Sequence, residues 1–82
     1  PRGDLASSGY CLAVEGRQYL AYLPDGGSVS LDLTGAPGNL WIEWFDPEGE
    51  RWQNGGQVRG GQAIEFAAPF EGHAVLYATK TT

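Results

Sequence analysis

Turn residues interrupt this chain at close intervals, and they limit what it can fold into. Pro24-Asp25-Gly26-Gly27, Gly35-Ala36-Pro37-Gly38, Asp46-Pro47-Glu48-Gly49, Asn54-Gly55-Gly56, Gly60-Gly61 and Pro69-Phe70-Glu71-Gly72 follow one another along 82 residues. Proline presets φ for a turn, and glycine accepts the positive φ that many turns need. Between these marks no segment shows helical periodicity. The segments read instead as strands: apolar runs, or runs alternating between apolar and polar, bounded by turn residues.

The cleanest strand is the third. Val29, Leu31 and Leu33 alternate with Ser28, Ser30, Asp32 and Thr34, so one face is dry and the other wet. The other expected strands are 9–14, 18–23, 39–45, 50–53, 57–59, 62–67 and 73–79. About eight short strands at this spacing predict an all-β fold, an antiparallel β-sandwich in a single domain. The sandwich is expected to occupy residues 9–79, after a flexible N-terminal lead at 1–8 and before a short tail at 80–82. The opening PRGDLASSGY is expected to be a boundary inside a longer protein, so the lack of a leader there says nothing of the parent.

Composition narrows the function. Ten acidic residues against five basic ones give a net charge of −5. A nucleic-acid binder needs a cationic face, and Arg2, Arg17, Arg51, Arg59 and Lys80 are scattered, so nucleic acid is excluded as a partner. No apolar run approaches the length of a membrane span. The one cysteine, Cys11, cannot form an intrachain disulfide or supply a zinc site. It sits in the apolar run Tyr10–Val14 and reads as a buried, inert thiol.

A catalytic set is not legible. Nucleophilic catalysis needs a Ser, Cys or Thr with a base and an orienting group. The only histidine, His73, opens the last strand, and no Gly-x-Ser-x-Gly elbow exists. Asp46, Glu48 and Glu50 cluster in one turn, where carboxylates are ordinarily solvated; neither a glycosidase pair nor a calcium loop is expected from them. The glycine pairs lie between strands and read as turns rather than phosphate loops. Arg2-Gly3-Asp4 matches the integrin tripeptide, but only as three residues in the expected lead. We therefore expect no catalytic residue, metal or cofactor.

The aromatic residues remain. All three tryptophans lie in LWIEWFDPEGERW, residues 40–52. Successive side chains in a strand point to opposite faces. Leu40, Ile42 and Trp44 share one face and read as core. Trp41, Glu43 and Phe45 share the other, and this mixed aromatic and acidic face is the candidate for binding a ligand or partner. Trp52 lies across the hairpin and belongs to one face or the other according to register.

The order of the motifs resembles a known family. A Tyr-Cys-Leu-Ala run (10–13), a Gly-Arg-x-Tyr step (16–19) and a Tyr-Leu-Pro-x-Gly-Gly turn (22–27) come first. A Trp-Phe-Asp-Pro hairpin (44–47) and an Ala-Pro-Phe-x-Gly step into Val-Leu-Tyr (68–77) follow. Over roughly residues 9–78 this is similar to the family described as "putative collagen-binding domain of a collagenase". After Asp46-Pro47 the family often has Arg-Thr-Gly, whereas Glu48-Gly49-Glu50 stands here. The resemblance implies a β-sandwich at the C-terminal end of a longer bacterial protein, behind a (β/α)₈ barrel resembling glycoside hydrolases. It also implies an extracellular or periplasmic parent. The expected function is a non-catalytic accessory domain that packs on or assists that barrel. The alternative is an autonomous module that binds polysaccharide or collagen through Trp41, Glu43, Phe45 and Trp52.

Overall fold

The computed structural model describes residues 2–81. The turn-bounded segments are strands: β1 Cys11–Val14, β2 Gln18–Leu23, β3 Ser28–Asp32, β4 Asn39–Asp46, β5 Arg51–Arg59, β6 Ala63–Ala67 and β7 Ala74–Lys80. Five form an antiparallel sheet in the order β1-β2-β7-β4-β5, and β3 pairs with β6 in a second sheet. The last strand therefore inserts between β2 and β4, which ties the end of the chain into the middle of the larger sheet.

The two sheets close on one apolar cluster. The larger sheet contributes Tyr19, Ala21 and Leu23, then Leu40, Ile42 and Trp44, then Ala74, Leu76 and Ala78, while the smaller contributes Val29, Leu31 and Phe66. Alternation correctly places Leu40, Ile42 and Trp44 in this core, with Trp44 only 4% exposed. Tyr19 is buried with its hydroxyl satisfied, accepting the Gly16 N–H at 2.9 Å. That bond fastens the β1–β2 turn to the core, since a buried hydroxyl without a partner would be costly. Cys11 is buried as expected, and burial pushes its thiol pKa up.

Two sequence expectations differ from the structure. Among the described residues seven strands form rather than eight, because residues 50–53 and 57–59 belong to one strand, β5. Asn54-Gly55-Gly56 is not a turn but a bulge: Ile42 pairs with Gly56 and Glu43 with Asn54, leaving Gly55 as the extra residue. The same residues that make turns also make bulges, where a glycine at positive φ lets the strand kink and continue. Gly56 has φ +82°, and its N–H donates to Asn54 Oδ1 at 2.6 Å. β4 runs unbroken opposite, so pairing resumes beyond the kink.

The bulge has little room for a larger residue. A Cβ on Gly55 would stand 2.6 Å from Cγ2 of buried Ile42. Gly55→Ala is expected to lower stability by about 1–3 kcal/mol, the usual cost of forcing an extra carbon into a packed core. A lower urea midpoint with an unchanged slope will show this.

The other difference is at the N-terminus. Gly3–Leu5 forms a 3₁₀ turn, Leu5 and Ala6 are buried, and Ala6 bridges to Leu31. The Arg2 N–H donates to the Cys11 carbonyl at 2.8 Å. The segment expected as a flexible lead thus covers the edge of β3 and part of β1. Strand β7 likewise runs to Lys80, into the expected tail. The outermost positions of that lead and tail, Pro1 and Thr82, lie outside the described residues. Among the described residues, no helix is long and apolar enough to cross a membrane.

Candidate functional site

The outer face of the five-stranded sheet carries the candidate residues. The register pairs Phe45 with Trp52, so Trp52 joins Trp41, Glu43 and Phe45 on this face. Trp41 is 47% exposed and Trp52 57%; Glu43 is exposed and Phe45 half-buried. All four residues predicted from sequence therefore share one surface.

Following the register across the sheet arranges this face in rows. The first runs Tyr10, Tyr22, Val75, Phe45, Trp52. The second runs Leu12, Leu20, Tyr77, Glu43, Asn54, and the third Val14, Gln18, Thr79, Trp41, Gln57. The first row is apolar from edge to edge. The Trp52 ring lies 5.0 Å from Phe45 and 5.2 Å from Tyr77, and Tyr10 meets Tyr22 edge-on at 6.1 Å. These separations favour aromatic contact. Tyr10, Leu12 and Val14 are each more than half exposed. Shallow depressions of about 330 and 310 Å³ lie among Leu12, Leu20, Tyr22 and Tyr77.

The wider apolar field is what sequence reasoning missed. Tyr10, Leu12, Val14, Leu20, Tyr22 and Tyr77 are as much part of the face as Trp52. A signal for them was present in Tyr10–Val14 and Tyr19–Leu23, which are apolar at both odd and even positions. A strand in a half-wet antiparallel sheet alternates; one apolar at both odd and even positions gives an apolar outer face as well as an apolar inner one.

Several polar groups beside the hairpin and at the N-terminus are engaged locally. His73 Nδ1 lies 3.0 Å from the Tyr22 hydroxyl, and Nε2 lies 3.9 Å from Glu48. Asp46 Oδ1 accepts the Glu48 N–H at 3.0 Å, while Oδ2 lies 3.9 Å from Arg51. Asp46 thus organises its own hairpin. Arg2 and Asp4 bond to each other at 3.0 Å, and Arg2 also reaches Glu15 at 2.7 Å, so the tripeptide's charges are paired internally. These bonds, with Asp4 first, raise the Arg2 pKa, and Arg2 lowers that of Asp4. Among the described residues, no three His, Cys, Asp or Glu side chains converge as a metal site.

The family described as "putative collagen-binding domain of a collagenase" matches residues 3–76. The chain belongs to this family. Two solved structures share the fold. One, titled glycoside hydrolase, superposes with a TM-score of 0.68 at 13% identity, over 80% of this chain and 16% of its own. The other, a glycoside hydrolase family 5 protein from Bacteroides vulgatus, gives 0.69 at 15% identity, over 80% of this chain and 15% of its own. The chain thus spans about a sixth of the length of either protein. Curated proteins gave no match. At these identities the structural likeness concerns the fold, and the family is one of binding domains by description.

Proposed function

We propose that this is a non-catalytic accessory domain of a larger glycoside-hydrolase-like protein, docked on the catalytic (β/α)₈ barrel of the same chain through the outer face of its five-stranded sheet. The observation that carries this is the apolar field itself: Tyr10, Leu12, Tyr22, Tyr77, Phe45 and Trp52 lie together on one open sheet face. A contiguous exposed apolar patch is uncommon on soluble monomers and marks a surface that binds a protein, a membrane or a ligand. Of the three rows, only Glu43 is charged at neutral pH. The fitting occupant is therefore an apolar protein surface.

The choice of a barrel as occupant is supported by where this fold recurs: as about a sixth of chains titled glycoside hydrolase. A domain on one tether with its partner loses less freedom on docking than two free molecules do, so a modest interface suffices. The same reading carries an extracellular or periplasmic parent. Collagen, which the family description names, is the competing occupant. Its triple helix would need a long trough, and the apolar field is broad with shallow depressions. Comparing the melting temperature of the chain alone with that of the chain joined to the domain preceding it in its parent tests the proposal. Adding type I collagen to the isolated chain tests the competitor.

A further inference from the structure

The two exposed tryptophans on the outer face have opposite surroundings. Trp52 is packed among apolar rings. Trp41 is framed by hydrogen-bonding groups: Thr79 on one side, Gln57 on the other, and Glu43 with Asn54 at one end. Trp41, Glu43, Asn54 and Thr79 line a depression of about 310 Å³, the low end of the range for small-ligand sites. Gln18 and Thr79 stand between Trp41 and Val14, so the indole lies outside the apolar field at its polar corner.

The bulge in β5 shapes this corner. Glu43 and Asn54 are the pair directly beside it. Bulges re-aim side chains and recur near functional sites. Here the Asn54 Oδ1 is held by the Gly56 N–H at 2.6 Å, which fixes the amide and leaves its NH₂ to donate. Around one indole there stand a carboxylate acceptor, an amide donor, a second amide and a hydroxyl.

We propose that Trp41 is a stacking platform for one unit of a neutral polysaccharide, with Glu43, Asn54 and Gln57 bonding its hydroxyls. A sugar ring has an apolar C–H face and a rim of hydroxyls, and an indole within a polar frame is its complement. A protein partner fits this corner less well, since it would strip water from Glu43 without a cationic group to meet it. Glu43 and the net charge of −5 select against polyuronides. Trp41 lies two rows from Phe45 and Trp52 on the shared face. The proposal rests on the accessory role only for its choice of probes.

Native affinity electrophoresis of the 82-residue chain tests it, with mixed-linkage β-glucan, arabinoxylan, galactomannan, polygalacturonate and type I collagen cast separately in the gel. Retardation by at least one of the three neutral polysaccharides is expected. Trp41→Ala and Glu43→Ala should each weaken it, the former by about tenfold or more in Kd, as loss of a central aromatic anchor does. Trp41→Phe should retain part of the binding, and Glu65→Ala, on β6 of the other sheet, should bind as the parent chain does. Equal melting temperatures for the Trp41 variants and the parent chain will show that the fold is intact. Retardation by none of the neutral polysaccharides would overturn the proposal. So would stronger retardation by polygalacturonate or collagen, or binding that survives Trp41→Ala and is lost in Trp52→Ala. That last pattern would also count against docking through the apolar field, whereas a failed docking test leaves the Trp41 prediction standing.

Discussion

Trp44→Ala should unfold or nearly unfold this domain, whereas Trp52→Ala should hardly disturb it in isolation. Trp44 is 4% exposed and lies in the shared core of both sheets, between Leu76 on β7 and Gln53 on β5 in the register. Removing a buried tryptophan costs about 3–5 kcal/mol, the lost transfer energy plus the cavity left behind. A domain of this length has a total stability of roughly 4–12 kcal/mol, so the loss takes a large share of it. Trp52 is 57% exposed, with its ring against those of Phe45 and Tyr77. Its truncation should cost about 0.5–1.5 kcal/mol, the scale of aromatic pair contacts. Urea unfolding of the two variants side by side measures the contrast. Equal losses would mean that the faces of the larger sheet have been assigned wrongly.

The second large effect concerns the outer face. Leu12→Asp and Trp52→Asp place carboxylates at its two ends, on β1 and β5. Both positions are more than half exposed in the isolated chain, so each variant should fold alone with a stability change within about 1.5 kcal/mol. Against a docked barrel the same carboxylates would be buried without partners. A buried charge left unpaired costs several kcal/mol, enough to undock the domain. In the proposed two-domain protein each variant should therefore abolish the stabilisation that docking confers while leaving barrel folding unchanged. Differential scanning calorimetry separates these outcomes, since an undocked domain melts at its own temperature.

Much of this molecule was legible in its sequence. Alternation in 28–34 and 39–45 identified core and surface faces, and the glycine and proline clusters marked most of the turns. Asn54-Gly55-Gly56 was ambiguous because glycine at positive φ serves a turn and a bulge alike. Only the unbroken β4 opposite decides between them. Leu5 and Ala6 form too short an apolar stretch to signal packing without knowledge of the β3 edge that they cover. The candidate face was half visible. Trp41, Glu43 and Phe45 followed from strand alternation alone, and Trp52 needed the hairpin register. The contribution of β1 and β2 needed the strand order, which places Tyr10–Val14 and Tyr19–Leu23 in one sheet with β4, across β7. No local pattern specifies that the last strand inserts between the second and fourth.

The calorimetric comparison of the isolated chain with the same chain joined to its parent's preceding domain is the most direct measurement of docking. Burying the field of Tyr10, Leu12, Tyr77 and Trp52 should raise this domain's melting temperature by about 10 °C, since 1 kcal/mol corresponds to roughly 4–8 °C at this size. Leu12→Asp should remove that gain. A domain that melts at the same temperature with and without its neighbour would contradict docking through the outer sheet face.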